Sequence, residues 1–355
     1  MVYSLFSVLF YIIVYLLIVS KIKNYYLQLI VYICIVLFWG ASYHYAIDTP
    51  GYMDYFNYEV LPLNRGIDLG LHHFEPGFNL FAQVCKTITG NYAFFQTCIF
   101  ALDMFLIYMG LRKLFSDKSM LIVFPLLFFT FPTILNALRQ SIAISFFIYA
   151  LSFINQKKSW KFILWIVIGS FFHQSALFLL PFYFARFLKN SLNKRILIIL
   201  ILAVSDIMWL SNMSLSSNFS FWTDVLSSEY LEMGEKYMTN YILDEELESN
   251  FGIAKILEIN IVALLYAFFK DKLPNNNILT SLLIVYIVVG LVFGGLFALR
   301  ILYYFSVLYY ACFIVSLTEL LKGNQRVSYV TISIYMLWFF IFHAGYINKA
   351  YIPLL

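Results

Sequence analysis

Charge is what this chain has least of. Only 12% of its 355 residues are Asp, Glu, Lys or Arg, against 62% hydrophobic. No water-soluble core of this length needs so much apolar surface, and no separate soluble domain fits between the apolar stretches. The net charge of +4 is explained by loop topology and gives no sign of a nucleic-acid partner. Cysteine is also scarce. Cys34, Cys85, Cys98 and Cys312 show no CxxC and no paired spacing, which argues against a disulfide framework, a zinc site or any other metal site. A small-residue cleavage site is missing after the first apolar run, Val2 to Ser20, which ends in Lys21 and Lys23. That run is expected to be a retained span and not a removed signal peptide. No internal repeat is present.

What is there is a succession of apolar stretches, each approaching the length that crosses the hydrocarbon layer as a helix. The expected fold class is an all-α polytopic membrane protein forming one integral domain over residues 1–355. About twelve spans are expected, at 2–20, 25–43, 92–111, 120–136, 138–154, 160–172, 173–187, 196–210, 251–269, 278–297, 300–321 and 327–343. Segment 75–90 is apolar but short and opens with Glu75-Pro76-Gly77, so it is expected to be re-entrant or interfacial.

Lys and Arg stay preferentially on the cytoplasmic side. Placing Lys21 and Lys23 inside puts 16 of the 23 basic residues in the cytoplasm, in clusters such as Arg112/Lys113/Lys118 and Lys157/Lys158/Lys161. If 75–90 crosses, only the first two spans flip. The outer face then receives the loops 44–75 and 211–250, the second with eight acids against Lys236 alone. All five histidines fall at the same face.

An ionisable side chain at membrane depth is costly and is usually kept for a site. Arg139 opens the span 138–154, beside Gln140. His173 closes 160–172 and, because 160–172 and 173–187 are short for full spans, marks the apex of a broken helical hairpin. From Arg139 to residue 154 is roughly 22 Å and from Lys161 back to His173 roughly 18 Å, so both lie at similar depth near the outer surface. Arg300 enters its span from the same side, with Tyr303 and Tyr304 on its helical face. A lone arginine at a helix end snorkels to headgroups. Two arginines and a histidine at one depth instead suit an anion such as a pyrophosphate, which the planar guanidinium matches.

In loop 44–75, Asp48, Tyr52 and Tyr55 share one face of a short helix, followed by His72, His73 and Glu75. Glu75 precedes Pro76, so it is either a helix cap or a carboxylate held at the mouth of a cavity as general base or sugar-hydroxyl acceptor. The aromatics beside these carboxylates suit sugar binding. Asp103 lies mid-span, where interhelical hydrogen bonding is the expected role.

At these residues the chain resembles the EpsG-like branch of the Wzy-type polymerases of bacterial exopolysaccharide, capsule and O-antigen repeat units. The matching features are Asp48-x3-Tyr52-x2-Tyr55, Glu75-Pro76-Gly77-Phe78, Leu138-Arg139-Gln140, Phe172-His173-Gln174-Ser175-Ala176 and Arg300-x2-Tyr303-Tyr304-Phe305. They occur in the family's order, from about 40 to 320. The resemblance implies a metal- and cofactor-independent glycosyltransferase of the membrane-embedded GT-C-like class, in the bacterial cytoplasmic membrane. It would move a glycan from undecaprenyl pyrophosphate onto a fresh lipid-linked repeat unit, on the periplasmic or extracellular side. On that resemblance Arg139, Arg300, Gln140, Tyr303 and Tyr304 hold the pyrophosphate, and Tyr52, Tyr55, His72 and His73 face sugar. His173, Glu75 or Asp48 acts on the acceptor hydroxyl. The implied partners are the lipid-linked donor and acceptor and membrane lipids, with room for a chain-length regulator.

Two other classes compete. A flippase for the lipid-linked oligosaccharide would favour pseudo-repeats and midplane charges, whereas here repeats are absent and the polar groups favour one face. A membrane O-acyltransferase acting on surface sugars would also use a histidine near the membrane.

Overall fold

The computed structural model describes residues 48–67, 74–115, 137–187, 194–211, 253–321 and 327–337, apart from 155, 157, 158, 273, 274 and 294, together with scattered positions between 12 and 34. Side chains at 253–255, 276 and 293–300 are not described. The expected span 120–136, most of 2–20 and 25–43, the acidic loop from 212 to 250, His72 and His73 therefore lie outside the described residues.

Every regular element among the described residues is helical. The chain divides into two compact units, Met1–Arg186 with Leu321–Leu355, and Phe187–Leu320. The first unit holds α1 (Thr49–Asp54), α2 (Pro76–Ile88), α3 (Tyr92–Phe115), α4 (Leu138–Leu151) and α5 (Trp160–Ser170). The second holds α6 (Lys194–Leu210), α7 (Ile253–Phe269), α8 (Asn276–Val288) and α9 (Gly295–Leu320).

The count of about twelve spans is not reproduced among the described residues. Only Tyr92–Phe115 and the Ile301–Leu320 stretch of α9 are long and apolar enough to cross a bilayer by themselves. The reason is length. Leu138–Leu151 and Trp160–Ser170 are 14 and 11 residues, about 21 and 17 Å at 1.5 Å per residue, and the hydrocarbon layer is about 30 Å thick. Helix α9 also starts earlier than the sequence reading had it, so Arg300 lies in its second turn and not at its entrance.

In the first unit α3 packs along α4, and α4 along α5. Small residues permit the closest approaches. A Cβ on Gly110 would stand 2.7 Å from the Ile148 carbonyl oxygen, and one on Gly169 would stand 3.2 Å from Phe146 Cβ. Between α3 and α4 the Ser141 hydroxyl donates to Asp103 Oδ2 at 2.6 Å, the interhelical role expected of that carboxyl.

The α5 hairpin is broken, as the sequence suggested. Helix α5 ends at Ser170, and the chain resumes as a 3₁₀ run over Gln174–Phe187. The Ser159 hydroxyl and Tyr183 hydroxyl are 3.1 Å apart, so the returning arm ends beside the start of α5.

Helix α2, about 20 Å long by its 13 residues, is too short to cross alone. It buries Asn79 and Gln83 along with Phe78, while Leu80, Val84 and Ile88 are exposed. Polar side chains inside and apolar ones outside suit a helix that faces lipid. Lys86 donates to the Phe56 and Asn57 carbonyls at 2.8 and 3.2 Å. It thereby closes the π-helical turn Tyr55–Glu59 that continues α1.

In the second unit, α6 contacts α7 and α8, which in turn pack on α9. Polar ties fix that packing. Tyr309 donates to Glu258 at 3.3 Å and stacks on Tyr286 at 4.1 Å. Asn260 donates to Asp206 at 3.1 Å, and Lys194 donates to Asn277.

Candidate functional site

Glu75 is the residue around which the first unit is organised. It occupies the N-cap position of α2, directly before Pro76, yet its side chain makes no cap hydrogen bond. Helix entry is achieved by the backbone instead, with Asn79 N donating to Glu75 O at 3.1 Å. The carboxylate is therefore available for contacts far along the chain. Its Oε2 accepts from Arg139 Nη1 at 2.5 Å, and its Oε1 accepts from the Gln174 amide at 3.2 Å. One carboxylate thus joins the first turn of α4 to the residue that follows His173.

The ion pair is largely shielded, with side-chain exposures of 21% for Arg139 and 10% for Glu75. A charge-assisted bond of this length in a shielded setting is among the stronger polar contacts a protein makes. Removing one partner of a buried pair leaves an uncompensated charge and costs several kcal/mol. The guanidinium is held from other directions too. Its carbon lies 4.4 Å from the Phe74 ring centroid, a cation–π contact, and the Tyr52 phenol lies against it. Burial raises the Tyr52 phenol above its ordinary pKa, with the Asp48 charge adding to the effect and Arg139 opposing it. Tyr52 is therefore neutral around Arg139. The Nε of Arg139 is buried without a hydrogen-bond partner, a donor that an anion would satisfy.

A second junction lies two residues along from Glu75. The Gly77 amide donates to the Phe171 carbonyl at 2.8 Å. Both groups are helix-end orphans, an N–H from the first turn of α2 and the C=O just past α5, and each satisfies the other. The approach requires glycine: a Cβ on residue 77 would stand 2.7 Å from Phe171 O and 2.9 Å from Phe171 Cβ. Two residues further on, His173 Nδ1 sits 2.6 Å from the Ser175 hydroxyl. Because a hydroxyl both donates and accepts, Ser175 can orient either tautomer of the ring.

Four of the five sequence motifs therefore meet in one unit: 48–55, 75–78, 138–140 and 172–176. The EpsG family model matches residues 26–354. The chain belongs to the EpsG family. Its members are polysaccharide polymerase-like membrane proteins, which accounts for the apolar composition and for helices with exposed apolar faces. No curated protein and no solved structure matches the chain.

Within this EpsG-family chain the candidates fall as follows. Arg139, Glu75 and the hairpin break carrying His173 are brought together. Asp48 stands at the N-cap of α1, with its carbonyl accepting from the Tyr52 amide at 3.2 Å. Tyr52 and Tyr55 share a face as expected, and that face points inward. Their relative exposures are 7% and 3%, and their rings pack on Phe74 and Phe78. Tyr55 donates to Asn79 Oδ1 at 2.6 Å, and Asn79 donates to Phe74 O at 3.0 Å. Gln140 is buried in α4. Arg300, Tyr303 and Tyr304 belong to the second unit, and the Arg300 side chain is outside the described residues. Tyr304 is buried and Tyr303 half-buried. Among the described residues no cluster of His, Cys, Asp or Glu could hold a metal ion.

Three contributors were not read from the sequence: Phe74 over the guanidinium, the Gln174 amide on Glu75, and Asn79 linking Tyr55 to Phe74. Phe74 and Gln174 each adjoin a residue singled out for charge. Adjacency to a motif was the one signal that could have found them.

Proposed function

We propose that this chain polymerises undecaprenyl-pyrophosphate-linked oligosaccharide repeat units into surface polysaccharide, on the outer face of the bacterial cytoplasmic membrane. Family membership supports polysaccharide polymerisation in general. The observation that carries the finer reading is the shielded Arg139 guanidinium, fixed by Glu75, Phe74 and Tyr52 beside the His173 hairpin break.

In the proposed reaction the acceptor hydroxyl attacks the anomeric carbon of the donor's reducing-end sugar. The bond from that carbon to the phosphate oxygen breaks, a new glycosidic bond forms, and undecaprenyl pyrophosphate departs. Negative charge grows on the departing diphosphate. Donors already aimed at that charge, in a poorly hydrated site, lower the barrier without having to reorganise. Arg139 supplies them. The hydroxyl proton goes to His173, whose Nε2 is basic when Nδ1–H donates to Ser175. Glu75 has an N–H donor on each oxygen, so its part is to position Arg139 and the hairpin. Arg300 takes a pyrophosphate role on the sequence resemblance alone.

The test is replacement of the gene by one encoding Arg139→Lys, followed by gel analysis of the surface polysaccharide and a membrane-insertion blot. Lysine keeps the charge and an ion pair to Glu75 but loses the fork. The expected result is a ladder collapsed to single repeat units, with normal insertion. Normal long chains would remove Arg139 from the site. Loss of all surface repeats, with lipid-linked units held in the cytoplasmic leaflet, would indicate a flippase instead.

A further inference from the structure

At the opposite end of α3, α4 and α5 from Glu75 and Arg139, two lysines converge on one aromatic ring. Lys113 Nζ lies 4.2 Å from the Phe153 ring centroid and 4.4 Å from that of Tyr149. Lys161 Nζ lies 5.5 Å from the same Phe153 ring and 5.9 Å from that of Trp160. Lys113 also donates to the Tyr149 hydroxyl at 3.2 Å. Among the described residues neither lysine has an acidic partner, and Lys161 has no hydrogen-bond acceptor. The rings hold two like charges close together, where free side chains would sweep apart through water. A single anion held by both would relieve their mutual repulsion.

The surface beside them is apolar. Trp160, Ile163, Leu164 and Val167 are exposed at 59%, 44%, 41% and 38%. Their spacing forms a stripe along α5 that starts at the lysines and runs toward the hairpin break. A tryptophan at the charged end of such a stripe is the usual arrangement at a membrane interface. Basic pockets between membrane helices take anionic lipid headgroups.

We propose that Lys113 and Lys161 bind the phosphodiester of an anionic glycerophospholipid, with its acyl chains lying along the Trp160–Val167 stripe. The site is separate from the polymerisation site and stands whether or not that reading holds. Its function is to bind lipid at the end of the bundle away from the chemistry, clamping α3, α4 and α5 together.

The experiment uses the full chain in neutral detergent, measuring the unfolding midpoint with added phosphatidylglycerol or phosphatidylcholine. Phosphatidylglycerol is expected to raise the midpoint above that with phosphatidylcholine. Lys113→Gln/Lys161→Gln should lose at least half of that gain, and Lys113→Arg/Lys161→Arg should keep it. Should the glutamine pair unfold without a cooperative transition, Lys161→Gln alone is expected to show a reduced gain. An undiminished gain in the glutamine variants would overturn the site. Inorganic phosphate reproducing the full gain in the unaltered chain would overturn the lipid assignment in favour of a free-anion site.

Discussion

Consider Glu75→Gln. The replacement keeps the shape of the side chain and removes its charge. In the native arrangement both carboxylate oxygens accept, one from Arg139 Nη1 and one from the Gln174 amide. A glutamine amide has one oxygen and one NH2, so whichever way it is turned, a donor faces a donor. If the oxygen serves Gln174, the NH2 meets the guanidinium, which loses a charge-assisted bond worth about 1.5–3 kcal/mol. The arginine is then left shielded without its counter-ion, and the total cost is about 3–5 kcal/mol. Partial exposure of both side chains places the expected value at the lower end of that range. Arg139→Gln should cost a similar amount. The double variant, with two neutral amides able to hydrogen-bond each other, should cost markedly less than the sum. Reversible unfolding in mixed micelles measures all four corners of this cycle. A coupling below about 0.5 kcal/mol, the usual scatter for independent sites, would refute the view that the pair organises the unit. The double variant should remain without polymer, because stability is regained in part and the guanidinium is not.

Gly77→Ala should destabilise by about 1–3 kcal/mol through overpacking and shorten the polysaccharide ladder, since the added methyl meets backbone at Phe171. Gly110→Ala meets the Ile148 carbonyl equally closely but lies within the α3–α4 contact, so it should match the stability loss without a selective effect on chain length. Ser175→Ala should slow polymer formation about tenfold, less than the roughly hundredfold or more that a general base itself contributes, and shift its pH profile. Ser175→Thr should restore both, which a merely structural role for Ser175 would not require. Asp103→Asn keeps an acceptor for Ser141 and removes an ionisable group from the helix bundle. Thermal stability should hold or rise by about 1 kcal/mol, and a fall of that size would show that the carboxylate charge is used.

How far the sequence carried depends on whether a property is local or distant. Arg139 and His173 were placed at one depth by counting residues along two antiparallel helices, and the structure puts their segments side by side. The break at His173 was legible because 160–172 is too short to cross. Glu75 was not decidable. A glutamate before proline satisfies every local rule for a cap, and its true partners stand 64 and 99 residues away. Tyr52 and Tyr55 were given the right common face, but spacing does not say whether that face turns toward ligand or toward Phe74 and Phe78. The count of about twelve spans is not confirmed among the described residues, where apolar composition also continues through changes in helical geometry, as at the π-helical turn Val289–Phe293 inside the expected span 278–297. Hydropathy registers composition and not backbone form.

Because a single carboxylate serves both the guanidinium and the Gln174 amide, an anion that shares Arg139 changes the charge felt by the amide as well. Occupancy is then written into the exchange lifetime of one backbone proton, that of Gln174. On the proposed function, that amide is a native probe of substrate arrival, readable by isotope exchange with no label attached.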